Sequence, residues 1–124
     1  MNLVDSCGWL EYLADGPNAA FFAPAIENTD DLIVPTLCIL EVFKRVLQQK
    51  GEDAALQAAA LMQQGQVIDL DSVIAVTAAK VSHEIKLPLA DAVIVATARI
   101  LNAVILTQDS DLKGVEGVKF VNKR

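Results

Sequence analysis

Five short apolar runs, the first four separated from one another by helical patterns, set the limits on what this chain can fold into. They are Asn2-Leu3-Val4, Leu32-Ile33-Val34-Pro35, Gln66 to Leu70, Ala103 to Leu106 and Val118 to Val121. Short apolar runs without a regular polar alternation mark strands covered on both faces. Between them the periodicity changes to that of helices. Ser6 can cap a first helix with Trp9, Leu10 and Leu13 on one face, and Gly16-Pro17-Asn18 breaks it. A second short helix is predicted over Ala19 to Glu27, followed by an acidic loop at Asn28 to Asp31. Thr36 opens a third, running to about Gln49 and stopped by Lys50-Gly51. Glu52 to Gln64 then forms an antiparallel hairpin with it. Asp71-Ser72 starts a helix to Ile85. The last, Leu89 to Leu101, follows Pro88 and has only Asp91 and Arg99 charged, so burial is expected. Strands alternating with helices predict an α/β fold with a parallel sheet covered on both faces.

At 124 residues, without linker or repeat, one domain over residues 1–124 is expected. Hydrophobic residues are 53% of the chain but aromatics only 5%, so the core must be aliphatic. The longest candidate membrane segment, Ala92 to Leu106, is interrupted by Arg99 and Asn102. Asp5 arrives too early for a signal peptide, so a cytoplasmic protein with no membrane partner is expected. Two cysteines, Cys7 and Cys38, make no disulfide framework. With His83 they could form a zinc site, but no C-x-x-C or H-x-x-x-H spacing is present. The net charge of −6 by itself argues against nucleic acid. Residues 1–43, however, contain no Lys or Arg and seven acids. Such a distribution is either a solubilising face or an electronegative one suited to metal ions and a basic partner.

Four carboxylates stand where neutral residues would cost less. Asp5 and Asp109 close apolar strands, and Glu41 and Asp91 lie inside apolar helices. A desolvated carboxylate is expensive unless paired or bound to metal. Each has an ordinary reading: Asp5 as a helix cap, Glu41 paired with Lys44 or Arg45, Asp91 complementing a helix dipole, Asp109 making a turn with Ser110. In a parallel sheet, ligands bind beyond the C-terminal strand ends, where Asp5 and Asp109 would both lie. The spacing permits all four to meet there without requiring it.

Asp5-Ser6, Glu41 after a Pro-Thr helix start, Leu89-Ala90-Asp91-Ala92, and Thr107-Gln108-Asp109-Ser110-Asp111 together resemble the PIN-domain ribonucleases. The length resembles the toxin half of the VapBC toxin–antitoxin systems. That resemblance implies a three-layer α/β/α sandwich with a five-stranded parallel sheet. It also implies an endoribonuclease dependent on Mg²⁺ or Mn²⁺, with Asp5, Glu41, Asp91 and Asp109 as the acidic quartet. Asp5, Asp91 and Asp109 would be metal ligands, Ser6 and Thr107 supporting hydroxyls, and Asp111 an additional acid of ambiguous role. Glu41 would position or deprotonate the attacking water. Lys44 and Arg45, on the same helix as Glu41, are the expected phosphate contacts. A VapB-type antitoxin and a homodimer are implied partners. Cys7-Gly8 departs from the pattern, where relatives often carry another Ser or apolar residue.

Two other readings compete. A receiver domain also gathers acids, Thr and Lys around Mg²⁺, and Thr107 and Lys123 superficially fit. It needs an acidic pair after the first strand, where this chain has Asp5 alone. A binding module that kept the fold and lost catalysis is the second; an intact quartet of costly carboxylates argues against it.

Overall fold

The computed structural model describes residues 1–124. In chain order the elements are β1 (Asn2–Val4), α1 (Ser6–Leu13), α2 (Ala19–Glu27), β2 (Leu32–Pro35), α3 (Thr36–Lys50), α4 (Glu52–Met62), β3 (Gln66–Ile68), α5 (Ser72–Ile85), α6 (Leu89–Leu101), β4 (Val104–Thr107) and β5 (Val118–Phe120). Short 3₁₀ turns cover Thr29–Asp31 and Ser110–Leu112. All five strands are parallel, in the order β3-β2-β1-β4-β5. The steps β1 to β2 and β2 to β3 run the same way, so right-handed crossovers place α1 to α4 on one face. The step from β3 to β4 runs back over β2 and β1 and carries α5 and α6 to the other face. The result is the expected three-layer α/β/α sandwich.

This order creates the feature that matters for function. From β1 the chain turns towards one edge of the sheet, and from β4 towards the opposite edge. Their C-terminal ends flank a switch point, where an open parallel sheet leaves a crevice. The register pairs Val4 with Leu106, and the Asp5 N–H donates to the Leu106 carbonyl at 3.1 Å. Asp5 and Thr107 therefore leave the sheet side by side.

The central strands are buried: Leu3, Val4, Val34, Ile105 and Leu106 share one core with Trp9, Phe22, Met62 and Ile94, and Ile33 is buried as well. Each such aliphatic side chain stabilises the fold by about 1.5–3 kcal/mol. Gly8 lets α1 lie close to its neighbours. A Cβ there would stand 2.6 Å from the Phe22 ring and 2.7 Å from Val4.

Two expectations need correction. β3 ends at Ile68 rather than Leu70 and is an edge strand, with Val67 39% exposed and Leu70 48%. The sheet is thus open at that edge, because no element packs beyond it. α6 buries its middle, Ala92 and Ile94 to Ala98, but Leu89 and Ile100 at its ends are exposed. A helix crossing a small sheet overhangs it at both ends, whatever its composition. No helix is long and apolar enough to cross a membrane.

Candidate active site

Asp5 is the residue around which the site is built. It is the N-cap of α1 and only 4% exposed. Its Oδ1 accepts the Ser6 N–H at 2.8 Å, and its Oδ2 accepts the Thr107 hydroxyl at 3.0 Å. The Cys7 Sγ lies 3.6 Å from that same Oδ2 and 3.3 Å from the Thr107 Oγ1. Thr107 Oγ1 in turn accepts the Asp109 N–H at 2.9 Å. With that N–H on its lone pair, the Thr107 hydroxyl has its proton free to give to Asp5. Thr107 therefore couples the two strand exits, one carboxylate on each side. Asp109 Oδ1 accepts the Asp111 N–H at 2.9 Å and so caps the following turn. Asp91 arrives from the other layer, in the first turn of α6.

Asp5, Asp91 and Asp109 each offer a carboxylate oxygen within 4.8 Å of the others. The ordinary readings of Asp5 as a cap and Asp109 as a turn former hold as well, since each spends only part of its acceptor capacity that way. Crowding shows in the protonation equilibria. Burial, and then the charges of Asp109, Asp5 and Asp111, push the Asp91 carboxyl up to about 7. Burial also raises Asp5, but hydrogen bonds from Ser6, Thr107 and Cys7 to its charged form oppose the rise. Asp91 has no such donors. Three hard oxygen donors, whose mutual repulsion a dication would relieve, could hold a divalent metal ion.

Glu41 does not join this trio, although it stands close enough to feel it. It is half-buried in the second turn of α3; burial raises its pKa, a hydrogen bond from the Ser6 side chain lowers it, and the Asp5 and Asp109 charges raise it. It makes no ion pair with Lys44 or Arg45; the one ion pair in the chain joins the Met1 amino group to Asp31 at 3.6 Å. Asp111 is exposed and outside the trio. The zinc arrangement does not form. Cys38 is buried with its thiol directed at the Val4 carbonyl, and His83 is exposed on α5. Burial, followed by the nearby Asp5 charge, pushes the Cys7 thiol up to about 11.

A groove of about 700 Å³ opens between α1, α3 and α4; the trio does not line it, but Cys7 and Gln108, the neighbours of Asp5 and Asp109, do. Leu10, Val46 and Leu61 are also among its lining residues, and Arg45, Lys50 and Lys123 are its cationic groups. Arg45 lines it, whereas Lys44 does not. Neither the Cys7 contacts nor a polar network around Gln108 was foreseen from sequence. Their partners are about a hundred residues away, and no local pattern announces them.

A family model for the PIN domain matches residues 3–118. No curated protein matches the chain. Among solved structures, a toxin–antitoxin complex from Klebsiella pneumoniae is 23% identical with a TM-score of 0.78, covering 96% of each chain. Mycobacterium tuberculosis VapC20, described as a Sarcin-Ricin loop cleaving toxin, is 17% identical with a TM-score of 0.77 over 95% of this chain and 97% of that one. FitAcB from Neisseria gonorrhoeae is 19% identical with a TM-score of 0.75 over 98% and 97%. Identities this low speak for the fold alone. The family match spans nearly the whole length, and the chain belongs to the PIN-domain family.

Proposed function

We propose that this protein is a metal-dependent endoribonuclease and the toxin of a toxin–antitoxin pair. The observation that carries the reading is the convergence of Asp5, Asp91 and Asp109 within 4.8 Å at the sheet's switch point. When bound, Mg²⁺ or Mn²⁺ would stabilise developing charge on a phosphodiester and acidify water. Asp5 is the best-anchored ligand, held by Ser6 and Thr107 before any ion arrives. Asp91 would have to lose its proton to act as one, and Asp109 Oδ1 already accepts an N–H of the turn it caps. Glu41, its pKa raised by burial and itself outside the trio, suits a general base. It would take a proton from the attacking water as the new P–O bond forms and the scissile P–O bond breaks. Arg45, facing the groove, is the better placed phosphate contact, ahead of Lys44.

The toxin assignment draws on the structural neighbours, several of which are toxins or toxin–antitoxin complexes. An antitoxin segment laid in this groove would contact Cys7 and Gln108, the neighbours of Asp5 and Asp109. The test is to incubate the purified chain with cellular RNA and Mn²⁺ or Mg²⁺, beside EDTA and Asp5→Asn controls. Discrete cuts lost in both controls are expected. A folded protein that binds Mn²⁺ but leaves every RNA intact would instead mark a binding module that kept only the fold.

A further inference from the structure

Asn18 occupies the N-cap position of α2, where an Asn side chain ordinarily bonds the first free N–H groups of the helix. Here it makes no capping bond. Its amide is instead 3% exposed and spent elsewhere. The Nδ2 donates to Gln108 Oε1 at 2.9 Å and to the Asn122 carbonyl at 2.9 Å. Glu11 completes the arrangement: its Oε2 accepts the Asn18 N–H at 2.7 Å, and its Oε1 faces Gln108 Nε2 at 3.5 Å. Gly16 leaves the space for that carboxylate, since a Cβ there would lie 2.6 Å from it. Burying an amide pair costs free energy unless every group is satisfied, and a helix has lost its cap in addition. So expensive an arrangement calls for an effect beyond α2.

That effect follows from where Gln108 stands. It is the single residue between Thr107, which holds Asp5, and Asp109, the acid on the opposite strand exit. β4 ends at Thr107, so no ladder bonds fix the backbone at Gln108. Its side chain, 8% exposed, is a tertiary anchor on that segment, beside the local bond from the Asp109 N–H to Thr107 Oγ1. We propose that Asn18, with Glu11, is a positioning residue: by clamping Gln108 it sets the angle at which Asp109 faces Asp5 and Asp91. The proposal rests on the metal-nuclease reading above. Asn18 touches neither ion nor substrate and acts only through Gln108.

Mn²⁺ titration followed by the EPR signal of the free ion tests this on the full chain. The variants are Asn18→Ala, Gln108→Met and the exchange pair Glu11→Gln with Gln108→Glu, each checked for folding by circular dichroism. Asp5→Asn is the control. Asn18→Ala and Gln108→Met should each weaken Mn²⁺ binding on the order of tenfold, the scale of losing an outer-shell partner. The exchange pair conserves total charge and keeps a donor facing an acceptor, so it should bind within about twofold of wild type. Binding in Asn18→Ala and Gln108→Met equal to wild type overturns the proposal, as does an exchange pair no better than Gln108→Met. If Asn18→Ala does not fold, Gln108→Met, close to it in shape, decides alone. A wild type that binds no Mn²⁺, or an Asp5→Asn control that binds as well as wild type, brings down the metal reading itself and this proposal with it.

Discussion

Asp91 and Glu41 are both carboxylates with raised pKa values at one crevice, yet their surroundings differ. Asp91 is surrounded by other acids and lacks donors, so in the metal-free protein it holds its proton up to about pH 7. Replacing it by the neutral isostere removes the repulsion and the ligand together. Asp91→Asn is therefore expected to raise the melting temperature of the metal-free protein at pH 8 while lowering cleavage at least a hundredfold. A melting temperature unchanged or lower at that pH would show that the crowding costs nothing. Glu41 stands outside the trio, and Glu41→Gln should leave Mn²⁺ affinity within a few-fold of wild type. Its cleavage rate should fall by about 10²–10⁴, the usual contribution of a positioned base. Loss of Mn²⁺ binding equal to that of Asp5→Asn would make it a ligand instead. The sequence showed Asp5 and Asp109 clearly, because a strand end leaves the next side chain little freedom of place. The separation of Glu41 from the trio was not legible there, since it depends on how α3 is rotated about its axis by packing.

At the scale of elements, most of the fold was readable because each strand is nearly all apolar and each helix carries its own stop. Gly51, at φ 90°, ends α3, and its N–H bonds the Leu47 carbonyl, as the Lys50-Gly51 pair suggested. Asp71 caps α5 by accepting the Ile74 N–H. The exposed edge at β3 was not readable, because a strand's neighbours are a property of sheet order and not of the strand's own residues. The role of Gly8 was hidden for the same reason. It is a helical residue with ordinary backbone angles, and only the closeness of Phe22 and Val4 forbids a side chain. Gly8→Ala should gain in helix propensity yet lose more through overpacking, for a net cost of about 1–3 kcal/mol. Urea unfolding checks the sign. A stabilised variant would mean that Phe22 can move aside. Because Gly8 is three residues from Asp5 on the same helix, cleavage should fall along with stability.

For the whole molecule, the clustered carboxylates work against the fold when no cation is bound to them. Burial raises Asp5, Glu41 and Asp91 above their ordinary values, and each raised carboxyl acts in the same direction. Between about pH 4 and pH 7 the native state keeps a proton on Asp91 that the unfolded chain has already released. The native state then binds more protons than the unfolded one, so stability falls as pH rises through that window. The net charge of −6 adds general repulsion at the upper end. A divalent ion held by the trio would reverse the balance, because it would require the ionised carboxylates and bind only the folded arrangement. At a hundred times its dissociation constant it contributes about 2.7 kcal/mol. The metal-free protein should therefore melt several degrees lower at pH 8 than at pH 5, and saturating Mn²⁺ should reverse that order. Asp91→Asn should flatten both curves, having neither the proton to lose nor the charge to offer. Metal-free melting temperatures that rise from pH 5 to pH 8 would show that the three carboxylates do not crowd one another in solution.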